Sequence, residues 1–168
     1  MIQPRAGNPL VRPMEERDVE GVASMFIRLY RQLNSLGYVH QLDEEGLADY
    51  LRLQMASKTN GVLVAEEDGD LPGFLAFACQ PIPRKFTAAH GRYVGVLSEL
   101  YVEQAYRGRG YAPMLMSAGE DFFRSLGVQI IDAVVVEGNL PPLDICRDLA
   151  YVRQTTGFVK SLSPDPLV

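Results

Sequence analysis

The sequence predicts an α/β domain of the α+β kind, with a mixed central sheet of about six to seven strands, an antiparallel meander in its N-terminal part, and about four flanking helices. Three observations carry this. Apolar residues recur at helical spacing in several stretches, clearest at Val19, Val22, Ala23, Phe26, Ile27 and Tyr30. Between them lie short β-branched runs such as Val62-Leu63-Val64-Ala65-Glu66 and Val94 to Val102. The two periods alternate as β, α, α, β, β, β, α, β, α, β, β, and no repeat, low-complexity tract or linker divides the chain.

Taken in order, residues 1–8 read as a loose, flexible terminus and residues 9–168 as a single domain. Pro9 to Pro13 is a short extended piece, and Glu15 and Glu16 open the first helix, where acidic groups suit the helix dipole. Leu33 to Tyr38 breaks it, and a second helix is expected over Asp43 to Ser57. Val62 to Glu66 and Leu75 to Cys79 form a hairpin about a turn at Glu67-Asp68-Gly69-Asp70. Pro81 to Arg92, with two prolines and basic residues, reads as an exposed loop leading into the strand that ends at Val102.

A helix then carries apolar residues at Ala112, Leu115, Met116, Gly119, Phe122, Phe123 and Leu126. Gln129 to Val136 is an apolar strand with little alternation, as expected where both faces are covered. Asn139 is placed to cap a helix running from about Leu140 to Leu149. Tyr151 to Gln154 and Phe158 to Leu162 are expected to close the sheet as a hairpin.

The chain is organised around Ser98-Glu99-Leu100-Tyr101-Val102-Glu103-Gln104-Ala105-Tyr106-Arg107-Gly108-Arg109-Gly110-Tyr111-Ala112, a strand, a turn and a helix start. Gly108 and Gly110 let backbone approach a ligand closely, and a helix about to begin offers unpaired N–H groups at the positive end of its dipole. That is a cradle for an anion, phosphate above all. Pro113 in the first helical turn agrees, because its missing amide had no intrahelical partner. Neither standard nucleotide motif is matched, since G-x-x-x-x-G-K-[ST] is absent and no third glycine follows in G-x-G-x-x-G register.

Arg107-x-x-Gly110-x-Ala112, preceded by the strand with Glu99 and Val102, resembles the acetyl-CoA-binding motif of the GCN5-related N-acetyltransferases. The order of elements from Pro9 to Leu162 is similar to theirs. The resemblance implies the acyl-CoA N-acyltransferase fold, acetyl-CoA as cosubstrate, and transfer to a primary amine by direct attack in a ternary complex. It implies that Glu99 is the base that takes the amine's proton, directly or through water, and that the strand splays at a bulge just beyond it. Backbone amides at Leu100, Tyr101 and Val102 would then meet the pantetheine arm and acetyl carbonyl. Those of Arg107, Gly108, Arg109, Gly110, Tyr111 and Ala112 would hold the pyrophosphate, and Asn139 would touch the cofactor. For Arg109 a solvated charge is an equal reading.

The chain departs from the family in one place. Ile145-Cys146-Arg147-Asp148-Leu149-Ala150-Tyr151 fits the frame in which relatives carry a tyrosine that protonates the departing thiolate, and Cys146 stands at that position. Cys146 as acid, an inert cysteine, and Tyr151, Tyr101, Tyr111 or bulk water as a substitute all remain open, so a CoA-binding sensor without catalysis is the rival reading. A phosphate loop for nucleotides ranks behind both.

At 168 residues with 47% hydrophobic and 22% charged residues, the composition is globular rather than disordered. A net charge of −5 gives no basic face for nucleic acid and suits a cationic small molecule. The sequence shows no apolar run of membrane length and no signal-peptide core, which predicts a cytoplasmic protein with no membrane partner. Cys79 and Cys146 read as reduced thiols, and His40 and His90 build no metal site. Acceptor specificity is expected from the closing hairpin and from Tyr30 to Glu45, where Tyr38, His40, Asp43, Glu44 and Glu45 either orient an amine or form a solvated helix start. Dimers are frequent among similar proteins, so a homodimer stands open beside a monomer, and the sequence does not choose between them.

Overall fold

The computed structural model describes residues 9–85, 91–155 and 157–159. The expected loose terminus at residues 1–8, part of the loop before Arg92, and residues 160–162 of the expected closing hairpin lie outside them. Five strands form one mixed sheet in the order β1-β2-β3-β4-β5: β1 Leu10–Pro13, β2 Asn60–Glu67, β3 Asp70–Pro81, β4 Tyr93–Val102 and β5 Ile131–Ala133. The first four pair antiparallel, so the meander is present and β1 extends it; β5 joins β4 in parallel. Four helices flank the sheet: α1 Val19–Ser35, α2 Leu47–Ala56, α3 Tyr111–Ser125 and α4 Leu140–Asp148.

The sequence predicts more strand than the structure holds. Among the described residues five strands stand where six to seven are expected, because Tyr151 to Thr155 form no strand; β5 is present but cut to Ile131–Ala133. The apolar run 134–136 is not strand at all, because β4 bends away from it beyond Leu97. After α4 the chain turns at Ala150, which takes φ 64°, and leaves Val152 and Phe158 exposed. The second helix starts at Leu47 rather than Asp43, because Gly46 N donates to Asp43 Oδ1 at 3.2 Å in the turn before it.

Strand alternation divides the core into two layers. Val62, Val64, Phe74 and Ala76 face α1 and α2, whereas Leu63, Ala65, Leu75 and Phe77 face α3. On the first side Val19, Val22, Phe26, Leu29 and Leu33 of α1 bury one stripe, and the rings of Phe26 and Phe74 stack 4.3 Å apart. On the other side Leu115, Met116 and Phe123 of α3 are buried, with Phe123 edge-on to Phe77 at 5.7 Å. Burial on both faces explains why β2 and β3 read as continuous apolar runs.

Arg12 of β1 locks the entry to α1. Its Nη1 donates to Asp18 Oδ2 at 2.6 Å and its Nε to Glu66 Oε2 at 2.7 Å, while the Glu15 amide donates to Asp18 Oδ2 at 2.8 Å. Burial opposes the charge on Asp18, yet the hydrogen bonds from Arg12 and the Glu15 amide, with the charges of Arg12 and Arg17, outweigh it and hold the carboxyl below its ordinary value of 3.8. A lowered folded pKa gives stability that is present above that ordinary value and is lost as pH falls through the folded one. Asp18→Asn is therefore expected to cost about 2 kcal/mol at neutral pH, since Arg12 keeps Glu66. Denaturant titrations of both proteins should show that difference shrinking below about pH 4; a constant difference down to the acid limit would rule the pair out as the cause.

Candidate active site

The site begins with a register shift. Ala76 of β3 pairs with Glu99 and Phe77 with Leu97, so Ser98 is one extra residue on β4, and its Oγ donates to the Ala76 carbonyl at 3.2 Å. A bulge bends the strand that carries it. On the other edge, β4 pairs with β5 only from Gly95 to Leu97, ending with Val134 N donating to the Leu97 carbonyl at 3.1 Å. Beyond that bond the two chains part. The bulge therefore lies immediately before Glu99 rather than just beyond it.

A cavity of about 180 Å3 fills the opening, between Ser98-Glu99-Leu100 on one wall and 133–136 on the other, with α1 contributing Tyr30 and α4 contributing Cys146. Glu99 is the charged residue of this lining. Its Oε1 accepts a hydrogen bond from the Tyr30 hydroxyl at 3.0 Å, and Oε2 is a buried atom with no hydrogen-bond partner among the described residues. Burial, then the charge and hydrogen bond of Glu99, push the Tyr30 hydroxyl well above its ordinary pKa, so it stays a donor at neutral pH. Burial, with the charge of Glu99, raises Tyr50 in the same sense. The bond from Tyr30 spans 69 residues of sequence; the apolar stripe of α1 and the stretch expected to set acceptor specificity both include Tyr30, but neither pointed to Glu99.

The glycine-rich loop is shaped as expected. Gly108 and Gly110 take φ 75° and 87°, in the left-handed region, and a β-carbon at either would meet nothing within 4 Å, so the loop surface is open on that side. Gly110 is the N-cap of α3, and no acidic residue stands in the helix's first turn. The two arginines are exposed, and each also bonds back to the protein. Arg109 makes a two-pronged ion pair with Glu67, at 2.8 and 2.7 Å, and lies over the rings of Tyr106 and Tyr111. Arg107 Nε donates to the Val102 carbonyl at 3.0 Å, and its guanidinium covers Tyr101. Neither reading of Arg109 from sequence foresaw this brace, because Glu67 sits at the far end of β2.

Asn139 is buried and lines the cavity; its side chain makes no cap bond to α4, whose first turn holds proline instead. Cys146 lines the same cavity, and burial pushes its thiol pKa up. The Tyr151 hydroxyl donates to Glu120 Oε1 of α3 at 3.0 Å, and this residue is not among those lining the cavity. Of the expected acceptor residues, Tyr38 lines the cavity with His40 edge-on to it at 5.2 Å, while Asp43 holds the turn before α2 and Glu44 pairs with Arg31 at 3.5 Å.

A sheet opened at a bulge, a carboxylate in the opening and a glycine loop at the next helix start thus follow one another along β4 and into α3. Residues 25–147 match the acetyltransferase (GNAT) family, and the chain belongs to that family. An uncharacterized N-acetyltransferase of Archaeoglobus fulgidus is 27% identical over 112 residues, covering 67% of this chain and 71% of that one. Among solved structures, the aminoglycoside N-acetyltransferase AAC(6')-Iy in complex with CoA superimposes with a TM-score of 0.77 at 15% identity, over 96% of this chain and 100% of that one. A predicted acetyltransferase of Clostridium acetobutylicum with acetyl-CoA gives 0.72 at 18% identity, over 92% and 97%. The mixed sheet and four helices are the fold of these acetyltransferases.

Proposed function

We propose that this chain is an N-acetyltransferase that moves an acetyl group from acetyl-CoA to a primary amine of a small molecule by direct attack. The observation that carries the reading is Glu99 Oε2, buried and unpartnered among the described residues in a cavity where two strands part. Acetyl-CoA would supply an acetyl thioester whose carbonyl carbon is the electrophile. Glu99 takes the proton of the incoming ammonium on Oε2, while Tyr30 holds Oε1. Amides at Leu100 and Val102 sit on the strand that diverges from β5 and donate to the pantetheine arm and the acetyl oxygen, while the Tyr101 amide, between them in the alternation, faces β3. The amides of Arg107 to Ala112 hold the pyrophosphate at the start of α3, with Arg107 and Arg109 bracing the loop from behind. Asn139 hydrogen-bonds the arm.

Cys146 is the proton donor for the departing thiolate. It lines the cavity that holds Glu99, and burial, which raises its pKa and disfavours the thiolate, argues against a covalent acyl carrier. Tyr151 is held at Glu120 and is the weaker candidate. A second reading, an acyl-CoA sensor without turnover, is favoured by a cysteine standing where the resemblance expects a tyrosine. A cytoplasmic setting and a homodimer belong to the proposal through family likeness.

Calorimetric titration with acetyl-CoA, CoA and ATP, followed by thiol release with a panel of amines, tests the reading. CoA binding with thiol release supports the enzyme, binding without release for every amine supports the sensor, and preference for ATP overturns both. Gly110→Val serves as a control for the loop. A β-branched residue at φ 87° is strained, and its side chain stands in the cradle, so acetyl-CoA affinity should fall at least about tenfold while the protein remains folded. Unaltered affinity would move the pyrophosphate elsewhere.

A further inference from the structure

The chemistry around Glu99 also selects among amines, an inference that rests on the acetyltransferase reading. Among the described residues lining the cavity, Glu99 is the single charged side chain, and no lysine, arginine or histidine accompanies it. None of the acidic residues expected on the acceptor side lines the cavity: Glu44 pairs with Arg31 at the surface, Asp43 Oδ1 accepts the Gly46 amide, and Glu45 is exposed. One buried oxygen can neutralise one ammonium; a second cationic group would enter an apolar wall unpaired, and a carboxylate would lie against Glu99 with no cation to meet it.

The rest of the acceptor side is aromatic. Tyr30 and Tyr38 meet edge-on at 6.0 Å, and Tyr38 continues to His40 at 5.2 Å. Asn34 fixes this shelf by donating from Nδ2 to the Tyr38 carbonyl at 2.6 Å and the His40 carbonyl at 2.9 Å. A shelf held rigid in the free protein loses little entropy when a ligand settles on it.

We infer that the acceptor is a monocationic primary amine on an apolar or aromatic body, with its ammonium on Glu99 Oε2, its body against Tyr38, and no anionic group beside the nitrogen. This excludes both free α-amino acids and polycationic aminosugars, although an aminoglycoside acetyltransferase shares the fold.

The test compares 2-phenylethylamine, phenylalanine and kanamycin by thiol release, with wild type, Tyr38→Ala and Tyr38→Phe. Phenylethylamine and phenylalanine differ only in the carboxylate, so kcat/KM should favour the former by at least about a hundredfold. Kanamycin should be the poorer substrate by a similar factor. Tyr38→Ala should lower kcat/KM for phenylethylamine about tenfold, chiefly through KM, and Tyr38→Phe should restore it, since the ring and not the hydroxyl makes the shelf. Equal use of phenylalanine, a preference for kanamycin, or an inert phenylethylamine would overturn the inference, as would Tyr38→Ala kinetics matching wild type. Calorimetry with acetyl-CoA separates the two levels: binding with the wrong amine preference defeats the inference alone, whereas absence of binding defeats the reading beneath it.

Discussion

Glu99→Gln lowers acetyl-transfer turnover by about 10²–10⁴-fold, the usual worth of a positioned general base, and leaves acetyl-CoA affinity within about twofold of wild type. The substitution is nearly isosteric. Glutamine keeps an oxygen that can accept from the Tyr30 hydroxyl, so the local structure is retained, but it has no basic oxygen in place of Oε2. Free primary amines are almost wholly protonated at neutral pH, and the nitrogen attacks only after losing that proton. The deficit should therefore shrink as pH rises toward the pKa of the amine, where solvent supplies the neutral form. Thiol release followed across pH, with calorimetric binding in parallel, reads both effects. Turnover equal to wild type at neutral pH would remove Glu99 from the mechanism, and loss of acetyl-CoA binding would make it a structural residue.

Gly73→Ala should be the most damaging single methyl in the sheet. An added β-carbon would stand 2.4 Å from the Tyr101 carbonyl oxygen and 3.1 Å from Val102 Cα, and both are backbone atoms of the neighbouring strand. No rotamer change relieves that contact; β3 and β4 must separate where Gly73 pairs with Val102. Overpacking of this kind costs about 3 kcal/mol, which for a chain of this size lowers Tm by about 6–12 °C. Because the strain falls between the Ser98 bulge and the glycine loop, acetyl-CoA affinity should weaken as well. A thermal melt within a degree or so of wild type would show that the strands have slack there.

Much of the fold was legible because its signals are local. Helical stripes in α1 and α3, the hairpin at Asp68-Gly69, and the order of elements depend on residues a few positions apart. The glycine loop was legible for the same reason: positive φ and a helix start are properties of a short segment. The family followed from the same string of residues. Where sequence reading overran, the cause was non-local. Residues 134–136 have the composition of a strand, and Tyr151 to Gln154 that of a hairpin arm, but a strand exists only where a neighbour's backbone lies within hydrogen-bonding distance.

The sequence by itself determined the mixed sheet with its helices, the left-handed glycine turn from Gly108 to Gly110 before α3, and Glu99 as the carboxylate to watch. Only the tertiary structure decided what surrounds that carboxylate. Tyr30 reaches it from α1, Tyr38 and Asn139 line its cavity, and farther along the chain Arg109 pairs with Glu67 while staying partly exposed. Periodicity and turn chemistry act over neighbours in the chain, whereas a hydrogen bond or an orphaned oxygen depends on which distant side chains packing brings within 3 Å or so.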